Sequence, residues 1–341
     1  MPTIQDIARI AGVSATTVSN VIHGNRKRVS ADTVNKITAV ISREGYVPNM
    51  SARSLKTNAS HIIGVFNFIV PEESGGSFQD PFHSALFTGI EQELRQSDYF
   101  LMVRTISSIG ELLKYLSNWN VDALILTGIL SKAFYEQLVK QPAPFVLVDS
   151  YVNDESSLQI HLEDRQGAYL ATRHLIGLGH ERILFCGPAP MQEGVIGERL
   201  KGYRQALTEE DIPFDPGRLL LCPMGIEEAA SLGRTLAARM DFTAIFATAD
   251  VLAAGLMAGL QNAGKRVPED FSVIGFDDLP VARLTVPQLT TIRQDVVMRG
   301  RVAIQMLLSA LRGKKPDNIT FPVTLVRRGS TGRVSSTSDN L

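Results

Sequence analysis

The sequence predicts a small all-α head built on a helix-turn-helix, followed by a larger α/β body of two lobes. Three observations carry this. Residues 3–22, TIQDIARIAGVSATTVSNVI, hold two short amphipathic helical patterns either side of a glycine. From residue 61 onward, apolar strand runs alternate with helical patterns, the grammar of a parallel sheet covered on both faces. The charge is also divided along the chain. Residues 1–60 carry eight Lys or Arg against three Asp or Glu, leaving 26 and 32 of the chain's 34 and 35 for the rest. The head is therefore net +5 and the body net −6, although the whole chain is −1. A basic head on an acidic body is what a DNA-reading module joined to a different activity looks like.

In the first helix Ile4, Ile7, Ala8 and Ala11 share one face. Thr3 is its N-cap, and Asp6 three residues on approximates a capping box. Gly12 stands where a left-handed residue ends a helix at least cost. Ser14 caps the second helix, which turns Val18, Val21 and Ile22 inward. Its other face shows Ala15, Thr16, Thr17, Ser19 and Asn20, small or hydrogen-bonding groups that fit base edges and phosphates in a major groove. A helix-turn-helix places its second helix there. His23 follows, and Arg26, Lys27 and Arg28 lie in the next loop, where cations beside a reading helix grip phosphates. Ser30 caps a third helix whose Val34, Ile37 and Ile41 close a three-helix core. Residues 48–56, PNMSARSLK, are polar and helix-compatible, with Asn49 as cap, and read alone they are a linker.

The body begins with the strand run HIIGVFNFIV and a helix carrying Phe82, Leu86, Ile90 and Leu94. Strands YFLMVRT, VDALILTG and PFVLVDS follow, with helices between. A second cycle begins after Tyr151: RILFCG, a helix over 194–210, RLLLC, a helix over 226–239, TAIFAT, a helix over 250–263, and FSVIGFDD. The chain then recrosses with TTIRQD, a long helix at 296–312 and a last strand near 319–328. Two such lobes form a cleft, with strand C-termini pointing into it. The tail VSSTSDNL, residues 334–341, is polar and patternless.

Composition supports a large core, with 44% hydrophobic and 20% charged residues. Cys186 and Cys222 each sit in an apolar run and read as buried hydrophobes. No apolar signal segment or membrane-length run is present, which predicts a cytoplasmic protein. No GxGxxG, P-loop, HExxH, CxxC or GxSxG appears, so no cofactor, metal or catalytic centre is expected. His174 and His180 flank a helix end and read as structural. The more informative polar residues end strands. Asp149 closes PFVLVDS, and Asp277 and Asp278 close FSVIGFDD, while Arg199 sits near the start of a helix. Strand-end carboxylates in an open sheet face the ligand crevice, and carboxylates with arginine suit hydroxyl-rich ligands. Asp278 reads as a cap or salt-bridge residue.

The chain resembles the lactose-repressor (LacI/GalR) family of bacterial transcription factors. The resemblance rests on TIQDIARIAGVSATTVSNVI, RVSADTVNKI and GYVPNMSARSLKT in the head. In the body it rests on HLIGLGHERI, GERLKGYRQAL, TAIFATADVLAAG, VPEDFSVIGFDD and PQLTTIRQD. It implies a helix-turn-helix domain at 1–47, a hinge helix or linker at 48–60 and a two-lobed periplasmic-binding-protein-like core at 61–333. It also implies a DNA-contacting set of Thr3, Ser14, Ala15, Thr16, Thr17, Ser19, Asn20, His23, Arg28, Asn49, Ala52, Arg53 and Leu55. Of these, Leu55 matches the hinge leucine that wedges into a minor groove. Asp149, Arg199 and Asp277 match effector-contacting positions. Phe82 matches a wall residue after the first strand, Met224 stands where relatives often carry an aromatic, and Gln294 lies on the crossing segment. The expected partners are palindromic double-stranded operator DNA, a small-molecule effector such as a sugar or related metabolite, and a second copy of the chain. The tail lacks a tetramer-forming leucine heptad, and no enzymatic activity is implied. Three departures stand out. The loop at Arg26–Arg28 is one residue long against the pattern, residues 71–80 are long, and Ala249-Asp250 replaces the usual Asn-Asp. The alternative reading is a cytoplasmic solute-binding or sugar-processing protein.

Overall fold

Capping chemistry and apolar spacing set the head. The computed structural model describes residues 2–22, 24–25, 29–47, 59–68, 78, 80–128, 131–154, 156–189 and 192–334. His23, Arg28, Asn49, Ala52, Arg53, Leu55, the tail beyond residue 334 and most of the 71–80 loop lie outside them. The chain divides into two units, Met1–Ser60 and His61–Leu341. In the first, α1 (Ile4–Ala11), α2 (Ala15–Ile22) and α3 (Ala31–Glu44) pack around Ile7, Ala8, Ala11, Val18, Val21, Ile37 and Val40. Thr3 and Asp6 form a reciprocal capping box, and Gly12 ends α1 at φ 64°. Val40 is buried in α3, whereas Val34 and Ile41 only flank the core.

The second unit holds two six-stranded sheets. The first lobe contains β1 (Ile62–Phe68), β2 (Phe100–Ile106), β3 (Ala123–Thr127), β4 (Phe145–Val148), β5 (Leu158–Leu162) and β11 (Ile319–Phe321), in the order β11-β5-β4-β3-β1-β2 and all parallel. Helices α4 (Pro81–Leu94) and α12 (Val296–Leu311) cover one face; α5 (Ile109–Trp119) and α6 (Lys132–Leu138) cover the other. The second lobe contains β6 (Ile183–Gly187), β7 (Leu219–Leu221), β8 (Ala244–Ala247), β9 (Ser272–Asp277), β10 (Thr290–Arg293) and β12 (Thr324–Val326). Their order is β12-β10-β9-β8-β6-β7, and only β12 runs antiparallel to its neighbour. There α7 (Asp164–Gly177) and α8 (Gly194–Glu209) cover one face, and α9 (Ile226–Leu236) and α10 (Asp250–Asn262) the other. A short α11 (Val281–Leu284) follows β9.

The chain passes between lobes three times: from β5 to α7, from β10 to α12, and from β11 to β12. This corrects two expectations. The single last strand near 319–328 is two three-residue strands, one in each lobe, separated at Pro322-Val323, since proline donates no ladder hydrogen bond. Strand β5 was not anticipated, and of α7 only the end near His174 was, although Leu158, Ile160 and Leu162 alternate with Gln159 and His161 as a half-buried strand does. Helices α4 and α12 approach closely because Gly89 faces the Val297 carbonyl and Gly300 faces the Leu86 carbonyl; a Cβ on either would collide with backbone. That contact fixes the first turns of α12, which carry the next residues of interest.

Candidate functional site

The head presents its second helix as the sequence pattern requires. Ser14 and Thr16 are exposed, and Ala15, Thr17, Ser19 and Asn20 are half-exposed, while Val18 and Val21 hold the helix to the core. The Ser14 hydroxyl accepts from the Thr17 backbone N–H at 3.1 Å and bonds the Thr17 hydroxyl at 2.8 Å. Thr3 is exposed, and its hydrogen bonds hold the Asp6 carboxyl below its ordinary range. Helix α2 thus offers hydroxyl and amide groups on a rigid frame with no carboxylate among residues 14–22.

In the body, polar side chains from both lobes meet where the strands end. Gln294, just past β10, donates its amide to Asp277 at the end of β9 at 2.6 Å. It accepts from the Arg299 guanidinium of α12 at 2.6 Å. Arg299 also pairs with Asp149, directly after β4. On the other side, Asp277 lies 3.9 Å from the Arg199 guanidinium of α8. Arg199 donates to Asp164, the first residue of α7, at 2.7 Å and to the Thr248 carbonyl. It also stacks 3.6 Å from the centroid of the Phe276 ring. The Tyr151 hydroxyl donates to Asp164, and Tyr151 is two residues from Asp149. The seven residues therefore form a ring, closed along the backbone between Asp149 and Tyr151, that passes from one lobe to the other at Gln294 and again at Tyr151–Asp164.

Most of the ring is buried, while Asp149 and Tyr151 are half-buried. Arg299 is 0% exposed, Arg199 and Asp277 5%, and Gln294 6%. Two guanidiniums face three carboxylates here, and burial raises two of the acids, Asp277 and Asp164. Burial pushes Asp277 up to about 7 against the pull of Arg199. Burial likewise raises Asp164, which Arg199 opposes. Burial raises the Tyr151 hydroxyl, and its bond to Asp164 raises it further, so it remains a donor. Burial lowers Arg199, but Asp164 and Asp277 overcome this and hold it charged. Three ring residues adopt left-handed backbone: Asp149 (φ 60°), Tyr151 (φ 48°) and Asp277 (φ 120°). Such conformations in non-glycine residues gather at functional sites.

Among the described residues, buried polar atoms without partners lie on elements of both lobes. They include Asn67 Nδ2 near the end of β1, His161 Nδ1 in β5, Thr248 Oγ1 after β8 and Arg299 Nε. Asn67 accepts from Thr127 at 2.7 Å, which leaves its amide N–H groups unmatched. Such atoms are uncommon in folded proteins, and a ligand's polar groups would satisfy them.

The structure brings together four of the expected effector residues, Asp149, Arg199, Asp277 and Gln294, in the ring. Phe82, in the first turn of α4, lies with its ring centroid 6.0 Å from the Arg299 guanidinium. Met224 is half-buried in the β7–α9 loop and packs against the second-lobe core. Asp278 takes Arg293 at 2.6 Å and Arg328, a salt-bridge role. Asp250 accepts from the Thr291 hydroxyl and the Leu279 N–H, and Ala249 caps α10 without a side-chain bond. His174 bonds Thr331, and His180 bonds Thr243, Ser272 and Gly332, so both are structural. Both cysteines are buried thiols. Sequence reasoning missed Arg299, Asp164, Tyr151, Asn67 and Thr248. Arg299 had a legible signal: it falls three residues after Val296, on the stripe continued by Ala303, Ile304 and Leu307, where a charge demands a buried partner.

Comparison with known proteins agrees with this architecture. Residues 3–49 match the family model for bacterial regulatory proteins of the lacI family, and residues 172–331 match a periplasmic binding protein-like domain. The chain is 34% identical over 354 residues to the HTH-type transcriptional regulator GalR of Salmonella typhimurium, covering 99% of this chain and 100% of GalR. It is 32% identical over 340 residues to the HTH-type transcriptional repressor PurR of Photobacterium profundum, covering 96% and 98%. Among solved structures it resembles the lac repressor dimer bound to operator and the anti-inducer ONPF, with a TM-score of 0.85, 26% identity, and coverage of 97% of this chain and 99% of that one. With its reading head matched and its relatives aligned over nearly all of both chains, this chain belongs to the lacI family of bacterial regulatory proteins and is a DNA-binding transcriptional regulator.

Proposed function

We propose that the protein is a repressor that binds a palindromic operator as a homodimer in the cytoplasm and releases or tightens its grip when a small hydroxyl-rich molecule enters between the lobes. It acts as a sensor, without catalysis. The observation that carries this reading is the ring from Asp149 to Asp164. It gathers carboxylates, guanidiniums, an amide and a phenol at the strand ends of two lobes that share one chain with a reading head. Such groups donate to and accept from sugar hydroxyls. A ligand shifts the lobes only by binding one arrangement better than the other. On the DNA side, α2 enters the major groove, and the basic head grips phosphates. Residues 48–60 form the hinge, where Leu55 is the minor-groove wedge.

The test is a selection of random duplexes by full-length protein, followed by titration of the winning sequence. The reading predicts a two-fold palindrome and a log affinity that falls linearly with log salt. Leu55→Ala weakens specific binding by a few kcal/mol. No enrichment over random DNA would reject the reading.

A further inference from the structure

The polar groups proposed to hold the effector are already held by one another. Asp149 is taken by Arg299, both ends of the Gln294 amide are used, and Asp277 is taken by Gln294. Arg299 is central to this closure. It comes from α12, whose backbone is locked against α4 at Gly89 and Gly300, so the side chain has little freedom to drift. Its guanidinium N–H groups give Asp149 and Gln294 the hydrogen bonds that ligand O–H groups would give them. It also occupies the neighbourhood of the Phe82 ring, a face on which a sugar ring would stack. Among the described residues its Nε finds no acceptor, so the arginine fits its place imperfectly. An N–H left unmatched in a buried site weakens the hold of the arrangement that contains it.

We propose that Arg299 is a tethered stand-in for the effector: in the ligand-free protein it occupies the effector's hydrogen-bonding positions on Asp149 and Gln294, and so ties the first lobe to the second. The effector displaces it. This inference rests on the reading of the ring as the effector site. It makes Arg299 the residue that sets how tightly a ligand binds, because each ligand competes with an internal group at very high effective concentration. Removing the guanidinium leaves Asp149 in need of donors, which a polyol supplies.

Full-length wild type, Arg299→Met, Arg299→Lys and Asp277→Asn proteins are titrated calorimetrically with d-ribose, d-galactose and cellobiose as probes. Methionine keeps the buried stem, and lysine keeps the charge while unable to span Asp149 and Gln294 together. A probe that binds wild type binds Arg299→Met at least tenfold more tightly, with Arg299→Lys between. Equal or weaker binding to Arg299→Met overturns the proposal and makes Arg299 a direct ligand contact or a structural residue. Unchanged affinity for Asp277→Asn instead rejects the ring as the effector site, a separable outcome. A ligand-free arm decides independently of the probes. Spin labels at Trp119→Cys in the first lobe and Met240→Cys in the second, both exposed positions, report the inter-lobe distance in spin-diluted protein. Without Arg299 the distance distribution broadens and shifts. An unchanged distribution in a variant that retains a cooperative thermal transition overturns the proposal.

Discussion

Gln294 donates to Asp277 at 2.6 Å, and this bond joins the end of β9 in the second lobe to the segment that carries the chain back to the first. The amide serves both partners at once, since its oxygen accepts from Arg299. Asp277 is therefore the point where the site's electrostatics and the lobe connection coincide.

Asp277 predicts a pH signature. Its carboxyl is raised by burial to about 7 from an unfolded value of 3.8. Between those values the folded chain holds a proton that the unfolded chain has lost. Stability contributed by this group is thus complete below about pH 4 and declines as pH rises towards 7, by up to about 1.4 kcal/mol per pH unit for one proton. Asp164 and Asp250, also raised by burial, act in the same direction. Asp277→Asn should flatten the decline by one proton's share, read from urea unfolding midpoints across pH 4.5–7.5. An identical slope in the variant would place the raised group elsewhere.

Gly300→Ala tests the helix contact that positions Arg299. In an open helix this change stabilises by up to about 1 kcal/mol. Here the new methyl meets the Leu86 carbonyl. The expected outcome is a loss of about 1–3 kcal/mol in denaturant unfolding, the scale of core overpacking. A gain in stability would mean that α4 and α12 part without cost.

Ser14 separates capping from DNA contact. Its hydroxyl accepts from Thr17 N–H, so Ser14→Ala should cost the head about 1 kcal/mol. Ser14→Asp keeps a good cap but sets a carboxylate beside the phosphates. Thermal melting of the head should be retained in Ser14→Asp while operator affinity collapses. Equal affinity of Ser14→Asp and wild type would remove Ser14 from the DNA face.

The head was legible because its signals are local: Thr3, Asp6, Gly12 and Ser14 act within four residues of what they cap. The strand and helix alternation was legible for the same reason, apart from β5 and the start of α7. Strand β5 lacks a continuous apolar run, because Gln159 and His161 interrupt it. The site was legible only in part. Asp149 and Asp277 announce themselves by ending strands, and resemblance supplied Arg199 and Gln294. What no local pattern shows is the pairing of Arg299 with Asp149, 150 residues away, or of Arg199 with Asp164. Those contacts exist because the chain crosses between lobes, which returns α12 to the sheet of β4 and sets α7 beside α8. Met224 was carried over by resemblance alone, and it packs against the second-lobe core.

The central claim is that a ligand at the ring controls the grip of the head on DNA. The most direct measurement is operator binding by fluorescence anisotropy, with and without the probe sugar, for wild type, Arg199→Ala and Asp277→Asn. Losing one partner of a buried charged hydrogen bond costs roughly 1.5–3 kcal/mol, ten- to a hundredfold in ligand affinity. The account predicts that wild-type operator affinity shifts with the probe, while both variants bind the ligand-free operator as wild type does and ignore the probe at the same concentration. Variants that respond at wild-type probe concentrations would contradict it.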